Sequence, residues 1–365
     1  MSDKEKATPA FKLIPGTGFL VDGFRFPSPS VKAYFLSHAH SDHYTGITDN
    51  WSAGKIYCSE VTGRLVVYLL GVKPEFVHVL QLDVPTDVQG VEVTLIDANH
   101  CPGAVQFLFR LPCGKRYLHC GDMRFSPALL SNPHLCRSQG CTAVYLDTTY
   151  CNPRYTFPPQ EESVEYIAAT LTALLQQNEK RRLFLISTYV IGKERVLLEV
   201  HRRTGKRIYV TERKLGALKC MELPGLAVED VFTTDPRETC IHVTQWGFLG
   251  DTWPYFRPNF VNMEAVRAEH GVDEVVGFVP TGWMYEMKRR TFPVREKGPC
   301  KIHLVPYSEH SSYKELRDYV QFLRPAQVIP TVGVDKDDNG KSAAAQLKHF
   351  RNLVMLLVMS SQKVQ

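Results

Sequence analysis

The stretch YFLSHAHSDHYTGIT, residues 34–48, places three histidines and an aspartate within six residues, directly after an apolar run. His38, His40 and Asp42 alternate along the chain, so in an extended conformation they project to one side and His43 to the other. A tight turn can aim His38 and His40 at one metal ion and Asp42 with His43 at a second. Imidazole nitrogens and carboxylate oxygens suit zinc. A lone histidine is usually a buried, hydrogen-bonded residue, but His-x-His-x-Asp-His favours a metal site.

Four later segments each end an apolar run with a residue that can bind a metal. They are His100 in LIDANHCPGA, Asp122 in LHCGDMR, Asp147 in YLDTTYC and His310 in YSEHSSY. Each is expected at the end of a strand, where loops commonly carry binding and catalytic groups. Taken singly, each also fits an ordinary turn or capping residue. Taken together with the histidine cluster, they predict a two-metal hydrolase.

The composition agrees with a soluble enzyme of one or two domains. The chain has 365 residues, of which 44% are hydrophobic and 22% charged. No apolar run approaches the roughly 20 residues of a membrane helix, so no membrane partner is expected. Residues 1–10 are polar, which predicts a disordered leader rather than a signal peptide. Ten cysteines without a Cys-x-x-Cys pair favour free thiols in a reducing compartment.

Positive charge is concentrated in one part of the chain. Residues 180–219 contain twelve Lys or Arg and three acidic residues, a net +9, whereas the whole chain carries +5. Such a block favours a polyanionic partner, although an ordinary solvated helix face explains it equally well.

The order of the predicted strands and helices indicates an α/β protein. Short apolar strands separated by turns continue to about residue 155. A helical pattern follows in PPQEESVEYIAATLTALLQQ, then the strand LFLIS and the helix KERVLLEVHRR, which is the alternation of α/β layers. Strand texture returns in KIHLVPYSEHSS and QVIPTVGV.

His-x-His-x-Asp-His, His100 and Asp122 resemble the motifs of the metallo-β-lactamase superfamily. The segments YLDTTYC and YSEHSSY are similar to those of its β-CASP branch, whose members process nucleic acids. PGTGFLVDGF, DANHCPGA, GKE, PTGW and PYSEHSSYKELRDYVQFLRP resemble the DNA cross-link repair nucleases related to Artemis and Apollo. The resemblance runs from about residue 11 to residue 334. It departs from the family at Val279, Val190, Cys120 and Met123, and in residues 244–262, for which a lineage-specific loop is expected.

The resemblance implies a four-layer αββα sandwich with an inserted α/β domain. The metallo-β-lactamase domain would comprise residues 11–155 and 300–345, the β-CASP insertion residues 156–299, and a C-terminal tail residues 346–365. The implied metal ligands are His38, His40 and His100 for a first ion, Asp42, His43 and His310 for a second, and Asp122 as the bridge. Asp22 and Asp147 would lie behind these ligands and orient them. One or two zinc ions are implied, with another divalent metal as the alternative for the second site.

The segment STYVIGKER adds a candidate phosphate site. Gly192 and Lys193 are expected to open a helix, where free backbone N–H groups beside a lysine bind phosphate well. The hydroxyls of Ser41 and Thr149, each close to a metal-site aspartate, are further candidates.

The function implied is a nuclear DNA repair enzyme. The resemblance points to a 5′-to-3′ exonuclease that requires a 5′-phosphate and acts on interstrand cross-links, with Asp42, Asp122, Asp147 and His310 in catalysis. An Artemis-type structure-selective endonuclease and an RNA-processing β-CASP nuclease are the alternatives, but the latter usually carries a late histidine where this chain reads IPTVGV. Two further alternatives are less favoured. A thiol-ester hydrolase shares His-x-His-x-Asp-His but does not need the β-CASP insertion or the basic block. A non-catalytic DNA-binding scaffold would lack some of the metal ligands, and none is missing here.

Overall fold

A computed structural model describes residues 8–177, 179–223, 225–252, 255–282, 292–334 and 340–354. The strands are β1 Leu13–Ile14, β2 Phe19–Val21, β3 Ala33–Phe35, β4 Ile56–Cys58, β5 Val77–Val79, β6 Thr86–Val88, β7 Val91–Asp97, β8 Val105–Arg110, β9 Arg116–His119, β10 Ala143–Leu146, β11 Arg182–Thr188, β12 Ile208–Tyr209, β13 Phe232–Thr233, β14 Ile241–Gln245, β15 Gly250–Asp251, β16 Arg257–Pro258, β17 Glu274–Thr281, β18 Val294–Lys297, β19 Cys300–Pro306 and β20 Val328–Pro330. The helices are α1 Ser41–Tyr44, α2 Glu60–Leu70, α3 Pro133–Cys136, α4 Gln160–Gln176, α5 Glu194–Thr204, α6 Glu212–Met221, α7 Val228–Val231, α8 Phe260–His270, α9 Tyr313–Leu323 and α10 Lys341–Leu347.

The chain forms two compact units, of which the first contains residues 1–153 and 310–365. Its two sheets have the strand orders β1-β2-β3-β4-β5 and β20-β10-β9-β8-β7-β6. The apolar side chains between them form one core, which includes Phe19, Phe35, Phe107 and Tyr145. Strands whose both faces are apolar fit this arrangement, because each sheet also packs against helices.

The outer face of each sheet carries a helix. Val66 of α2 packs with Tyr34 and Ile56 of the five-stranded sheet. Tyr319 and Leu323 of α9 pack in one core with buried side chains of the six-stranded sheet. The layers are therefore helix, sheet, sheet and helix, and the predicted αββα sandwich is confirmed.

The second unit, residues 154–309, is built on a seven-stranded sheet with the order β13-β12-β14-β11-β17-β19-β18. Strand β19 pairs with β17 along its whole length, from Cys300 opposite Val275 to Pro306 opposite Thr281. Residues 300–309 therefore lie in this unit, whereas the sequence analysis assigned them to the metallo-β-lactamase domain. A strand-like sequence pattern alone does not show which sheet the strand joins.

Residues 244–262 are more regular than the expected loop. Their described part contains the end of β14, the antiparallel pair β15 and β16, and the start of α8. The predicted leader and the end of the tail fall mostly or wholly outside the described residues, as does Trp283 of PTGW. No helix within the described part of the chain has the length and apolar character to cross a membrane.

Candidate metal centre

Strand ends bring the predicted metal ligands of the first unit together. His38, His100, Asp122 and Asp147 each lie within three residues of the end of a strand, namely β3, β7, β9 and β10 respectively, and His310 lies just before α9. Among the described residues, three groups of side chains have their ligand atoms within 4.8 Å of one another. These groups are His38 with His40, His100 and Cys101; His38 with His43 and Asp122; and His100 with Asp122 and His310.

The first group has the spacing of a zinc site. Nδ1 of His40 lies 3.0 Å from Nε2 of His38 and 3.1 Å from Nε2 of His100. Two nitrogens bound to one tetrahedral zinc ion at its usual bond lengths lie about 3.3 Å apart. Burial, together with the neighbouring imidazoles, lowers the pKa of His38 well below its ordinary value, so this ring is neutral, as a ligand must be. The donor set fits a divalent metal.

Hydrogen bonds behind His38 fix its tautomer. The hydroxyl of Ser37 donates to Oδ2 of Asp22 at 2.7 Å and lies 2.9 Å from Nδ1 of His38. Since the hydroxyl hydrogen is used on Asp22, the oxygen accepts from Nδ1–H of His38. The lone pair of Nε2 therefore faces the metal centre.

The loop that carries His100 is held by the start of α2. The hydroxyls of Ser59 and Thr62 donate to the carbonyl oxygen of Gly103 at 2.6 and 2.9 Å. Gly103 has φ +82°, and a Cβ there would lie 2.9 Å from the backbone nitrogen of Thr62. Glycine is therefore required for this close approach.

Asp122 lies at the middle of the cluster. Its Oδ2 is 3.1 Å from Nε2 of His43, 3.7 Å from Nε2 of His38 and 3.9 Å from Nε2 of His100. The preceding Gly121 has φ +56°, and a Cβ there would lie 2.6 Å from Cβ of Ser37. Only a residue without a side chain lets the end of β9 approach the His38 segment so closely. One carboxylate thus lies within 4.0 Å of histidines that belong to all three groups.

Asp22 holds His43 from behind. Its Oδ2 lies 2.7 Å from Nδ1 of His43, and its Oδ1 accepts the N–H of Ser37 at 2.8 Å. Asp22 has φ +51°, a strained conformation for a non-glycine residue, and its N–H donates to Phe35 at 2.8 Å. Burial alone would lower the pKa of His43, but the charges of Asp122 and Asp22 outweigh it and raise the pKa well above its ordinary value.

Asp147 and His310 form a second pair of this kind. Oδ2 of Asp147 lies 2.9 Å from Nδ1 of His310 and accepts the N–H of Met123 at 3.2 Å. The hydroxyl of Ser311 donates to the carbonyl of Met123 and accepts the N–H of Phe125, both at 2.9 Å. His310 is thereby fixed to the segment that carries Asp122. Among the described contacts, Asp147 touches His310 and the backbone of Met123. Its role as an orienting group stays a prediction.

The alternation assumed for the histidine cluster stops at His40. Residues Ser41–Tyr44 form a helical turn, which directs His43 inwards and leaves the Asp42 side chain 77% exposed. Oδ2 of Asp42 is 3.7 Å from Nε2 of His43, and Asp42 belongs to none of the three groups. Its role as a ligand of a second ion stays a prediction.

Cys101 is a residue that the sequence analysis missed. Its sulfur lies in the group of His38, His40 and His100. Thiolate is a common zinc ligand, and the signal was its position directly after His100. All ten cysteines are free, in agreement with the predicted thiols.

The predicted phosphate site at Lys193 needs correction. The backbone N–H of Gly192 donates to the carboxylate of Glu194 at 2.9 Å, and that of Lys193 donates to Glu309 at 2.7 Å. These N–H groups are therefore not free for a phosphate. Lys193 is itself the N-cap of α5, with φ +66°, and only 4% of the residue is exposed.

Thr149 needs a similar correction. Its hydroxyl and its N–H both donate to Oδ1 of Asp147, at 2.6 and 3.0 Å. Because the hydroxyl hydrogen is already used, Thr149 orients Asp147 instead of donating to a phosphate. Ser41 is exposed at the start of the turn Ser41–Tyr44, so its hydroxyl stays a candidate.

The basic block of residues 180–219 carries less free charge than its composition suggests. Seven of its twelve cations form ion pairs, among them Arg182 with Glu274 and Lys214 with Glu194. An eighth cation, Lys193, is not exposed to solvent, because only 4% of its surface is accessible. The net charge of this window is therefore weak support for a polyanionic partner.

The αββα sandwich with a histidine and aspartate cluster at its strand ends defines a protein of the metallo-β-lactamase class. Residues 227–336 match the family model described as DNA repair metallo-beta-lactamase. Over 336 residues the chain is 40% identical to the DNA cross-link repair protein SNM1 of Arabidopsis thaliana, covering 91% of this chain and 67% of that protein. The chain belongs to this family of DNA cross-link repair metallo-β-lactamases.

Other relatives are longer proteins. The chain is 50% identical over 352 residues to DNA ligase 6 of Arabidopsis thaliana, which covers 95% of this chain but 25% of the ligase. It is 33% identical over 330 residues to the 5′ exonuclease Apollo of Gallus gallus, covering 88% of this chain and 64% of Apollo. The chain thus spans between a quarter and two thirds of the length of these relatives.

Proposed function

We propose that this chain is a zinc-dependent DNA nuclease of cross-link repair that digests DNA from a 5′-phosphorylated end. The observation that carries the proposal is the position of Asp122, whose carboxylate lies within 4.0 Å of nitrogens of His38, His43, His100 and His310. The similarity to the DNA cross-link repair protein SNM1 supports a role in DNA repair, and the similarity to the 5′ exonuclease Apollo supports exonuclease activity. The proposal includes a nuclear location, since cross-link repair acts on chromosomal DNA.

Each side chain of the centre has one task in this proposal. His38, His40 and His100 would hold one ion, and Asp42, His43 and His310 would hold a second. Asp122 would be a ligand shared by both sites. Bound zinc would act as a Lewis acid that activates water near neutral pH and neutralises charge developing on the scissile phosphate.

The residues behind the ligands keep them in the correct tautomer. Asp22 holds the proton on Nδ1 of His43 and Asp147 holds the proton on Nδ1 of His310, so each Nε2 keeps a lone pair for the metal. The hydroxyl of Ser41 donates to the terminal 5′-phosphate and helps to place the first phosphodiester over the centre.

The proposal is tested by digesting 3′-labelled single-stranded DNA that carries either a 5′-phosphate or a 5′-hydroxyl. We expect 5′-to-3′ digestion that is at least about 10-fold faster on the phosphorylated strand, because a phosphate held in a fixed place orients the scissile bond. His40→Ala should abolish cleavage. The matched control is His78→Ala, which removes an exposed histidine of β5 and should leave the rate unchanged.

Four outcomes would redirect or refute the proposal. Equal rates on the two ends would remove the 5′-phosphate requirement. Nicking of circular single-stranded DNA would make the enzyme an endonuclease of the Artemis type. Preference for RNA of the same sequence would favour the RNA-processing branch, and undiminished cleavage by purified His40→Ala would refute the metal centre.

A further inference from the structure

The second unit carries a pair of aromatic rings at the carboxyl ends of two central strands. Tyr189 follows β11, Trp246 follows β14, and these strands are parallel neighbours with Thr188 opposite Gln245. The two ring centroids are 4.6 Å apart with an interplanar angle of 31°. Tyr189 is 39% exposed and Trp246 is half-buried, so the pair is not part of a sealed core.

These two strand ends lie where the order of the sheet reverses. From β11 the chain continues to β12 on one side, and from β14 it continues to β17 on the other side of β11. When two neighbouring parallel strands are followed by connections that lead to opposite sides, a crevice opens between these connections at the carboxyl edge of the sheet. Open α/β sheets bind their ligands at such a switch point.

A buried lysine supports the rings. Nζ of Lys193 lies 3.9 Å from the ring centroid of Tyr189 and 4.8 Å from that of Trp246. Burial lowers the pKa of Lys193 to about 8, an effect that the charges of Glu309 and Glu194 partly offset. Contact with two ring faces favours the ammonium form, and such contacts are strongest away from water.

Hydrogen bonds hold the backbone of this loop in place before any ligand arrives. Nζ of Lys214, a residue buried in α6, donates to the carbonyl oxygens of Tyr189 at 2.9 Å and Val190 at 3.1 Å. Glu194 accepts the N–H of Gly192 at 2.9 Å. A rigid, partly exposed aromatic pair over a cation loses little entropy on binding a flat ligand.

We propose that Tyr189 and Trp246 form a stacking subsite for one nucleobase of a single-stranded nucleic acid, with Lys193 as a positioning residue beneath the rings. The choice of ligand rests on the proposed nuclease function. A base presents a flat π face, and stacking on aromatic side chains tolerates any sequence.

The subsite is tested by binding without turnover. The full chain in EDTA is titrated into fluorescein-labelled dT12 and into twelve versions that each lack one base, and binding is followed by anisotropy. In the wild type, loss of the stacked base should weaken binding about 5- to 100-fold at one or two positions only. Trp246→Leu should bind intact dT12 more weakly by a similar factor and should show no further loss at those positions.

The controls separate stacking from other effects. Trp246→Phe keeps an aromatic face and should keep the position-dependent loss, and Tyr189→Leu provides a second variant if Trp246→Leu does not fold. Tyr68→Leu removes a tyrosine of α2 that is 46% exposed in the other unit, and should bind like the wild type. The dependence of log K on log salt should keep its slope in Trp246→Leu, because stacking neutralises no phosphate.

If the wild type bound all twelve base-lacking strands with the same affinity, a flat scan, the subsite would be overturned. The same position-dependent loss of affinity in Trp246→Leu would also overturn it. Cleavage of DNA together with a flat scan would refute the subsite alone. A position-dependent scan without cleavage in zinc would instead refute the proposed nuclease and leave the subsite standing. Repeating the scan with rU12 shows whether ribose or deoxyribose strands bind better.

Discussion

Replacement of Asp147 by asparagine tests the carboxylate that holds His310. Asp147 is 1% exposed, and its Oδ2 receives Nδ1–H of His310 at 2.9 Å and the N–H of Met123 at 3.2 Å. Its Oδ1 receives the hydroxyl and the N–H of Thr149 at 2.6 and 3.0 Å. Asparagine has one oxygen and one NH₂ group in place of the two oxygens, so one of these two pairs of donors must face another donor.

The two orientations of the new amide differ in what they disrupt. If NH₂ faces Thr149, the hydroxyl rotates to accept and only the N–H of Thr149 loses its partner. If NH₂ faces Met123 and His310, the N–H of Met123 is orphaned and His310 must move its proton to Nε2, which removes the lone pair needed for a metal. We therefore expect the first orientation. One unsatisfied donor costs about 1–3 kcal/mol of the free energy of unfolding.

We expect the loss of charge behind His310 to lower the cleavage rate as well as the free energy of unfolding. Changing the partner of a metal-binding histidine costs about 10- to 100-fold in activity or metal affinity. The site of His38, His40 and His100 is untouched, so zinc bound there should remain. Cleavage rate, zinc content by atomic absorption and urea unfolding are measured on one preparation of Asp147→Asn.

Asp235→Asn is the matched control for this substitution. Oδ1 of Asp235 accepts the N–H of Arg237 at 3.0 Å, the same two-residue turn that Asp147 makes with Thr149, but the described contacts of Asp235 include no histidine. We expect an unchanged cleavage rate. A rate for Asp147→Asn within about 2-fold of the wild type would refute the reasoning, and loss of all zinc together with activity would make Asp147 a direct ligand.

Two further substitutions probe the centre and the loop of the second unit. Asp42→Ala should lower cleavage at least about 100-fold and leave the unfolding free energy within about 0.5 kcal/mol, because its side chain is 77% exposed; Asp49→Ala, at an exposed aspartate nearby, should change neither quantity. Lys193→Met tests the buried ammonium. Since the pKa of Lys193 is about 8 in the folded chain and 10.5 ordinarily, the unfolded chain binds more protons between these pH values. The wild type should therefore gain stability relative to Lys193→Met from pH 8 to pH 10.5, by about 3 kcal/mol at most; equal differences in Tm at pH 7.5 and pH 10 would contradict this.

The sequence predicts the strand-end positions of His38, His100 and Asp122, because each is tied to a local signal. His100 and Asp122 follow apolar runs that stop at Pro-Gly or at glycine, and the structure ends β7 and β9 near those positions. Parallel and antiparallel strands of packed sheets bring such ends together wherever the hydrophobic pattern sets the register. The strand-end positions thus follow from short-range patterns, whereas the clustering of the side chains also requires the packing of the two sheets.

Features that have no local sequence pattern could not be predicted. The burial of Lys193 requires Trp246 and Glu309, which are 53 and 116 residues away and carry no local sign of the contact. The exposure of Asp42 depends on the helical turn Ser41–Tyr44, although the alternating pattern before it favours extended chain. The position of Cys300–Pro306 in the second unit depends on its pairing with β17, which a strand pattern does not specify.

The hydrogen bonds behind the ligands divide the histidines of the centre into two kinds. His38 is fixed by a neutral hydroxyl, whereas His43 and His310 each donate Nδ1–H to a buried carboxylate, Asp22 or Asp147. A carboxylate partner makes an imidazole a stronger base and a stronger metal ligand. The half of the centre that holds His43 and His310 has this support, and its remaining predicted ligand, Asp42, is exposed. Asp22 has a left-handed backbone conformation, with φ +51°, and its bonds to His43 and to Ser37 hold it in that position.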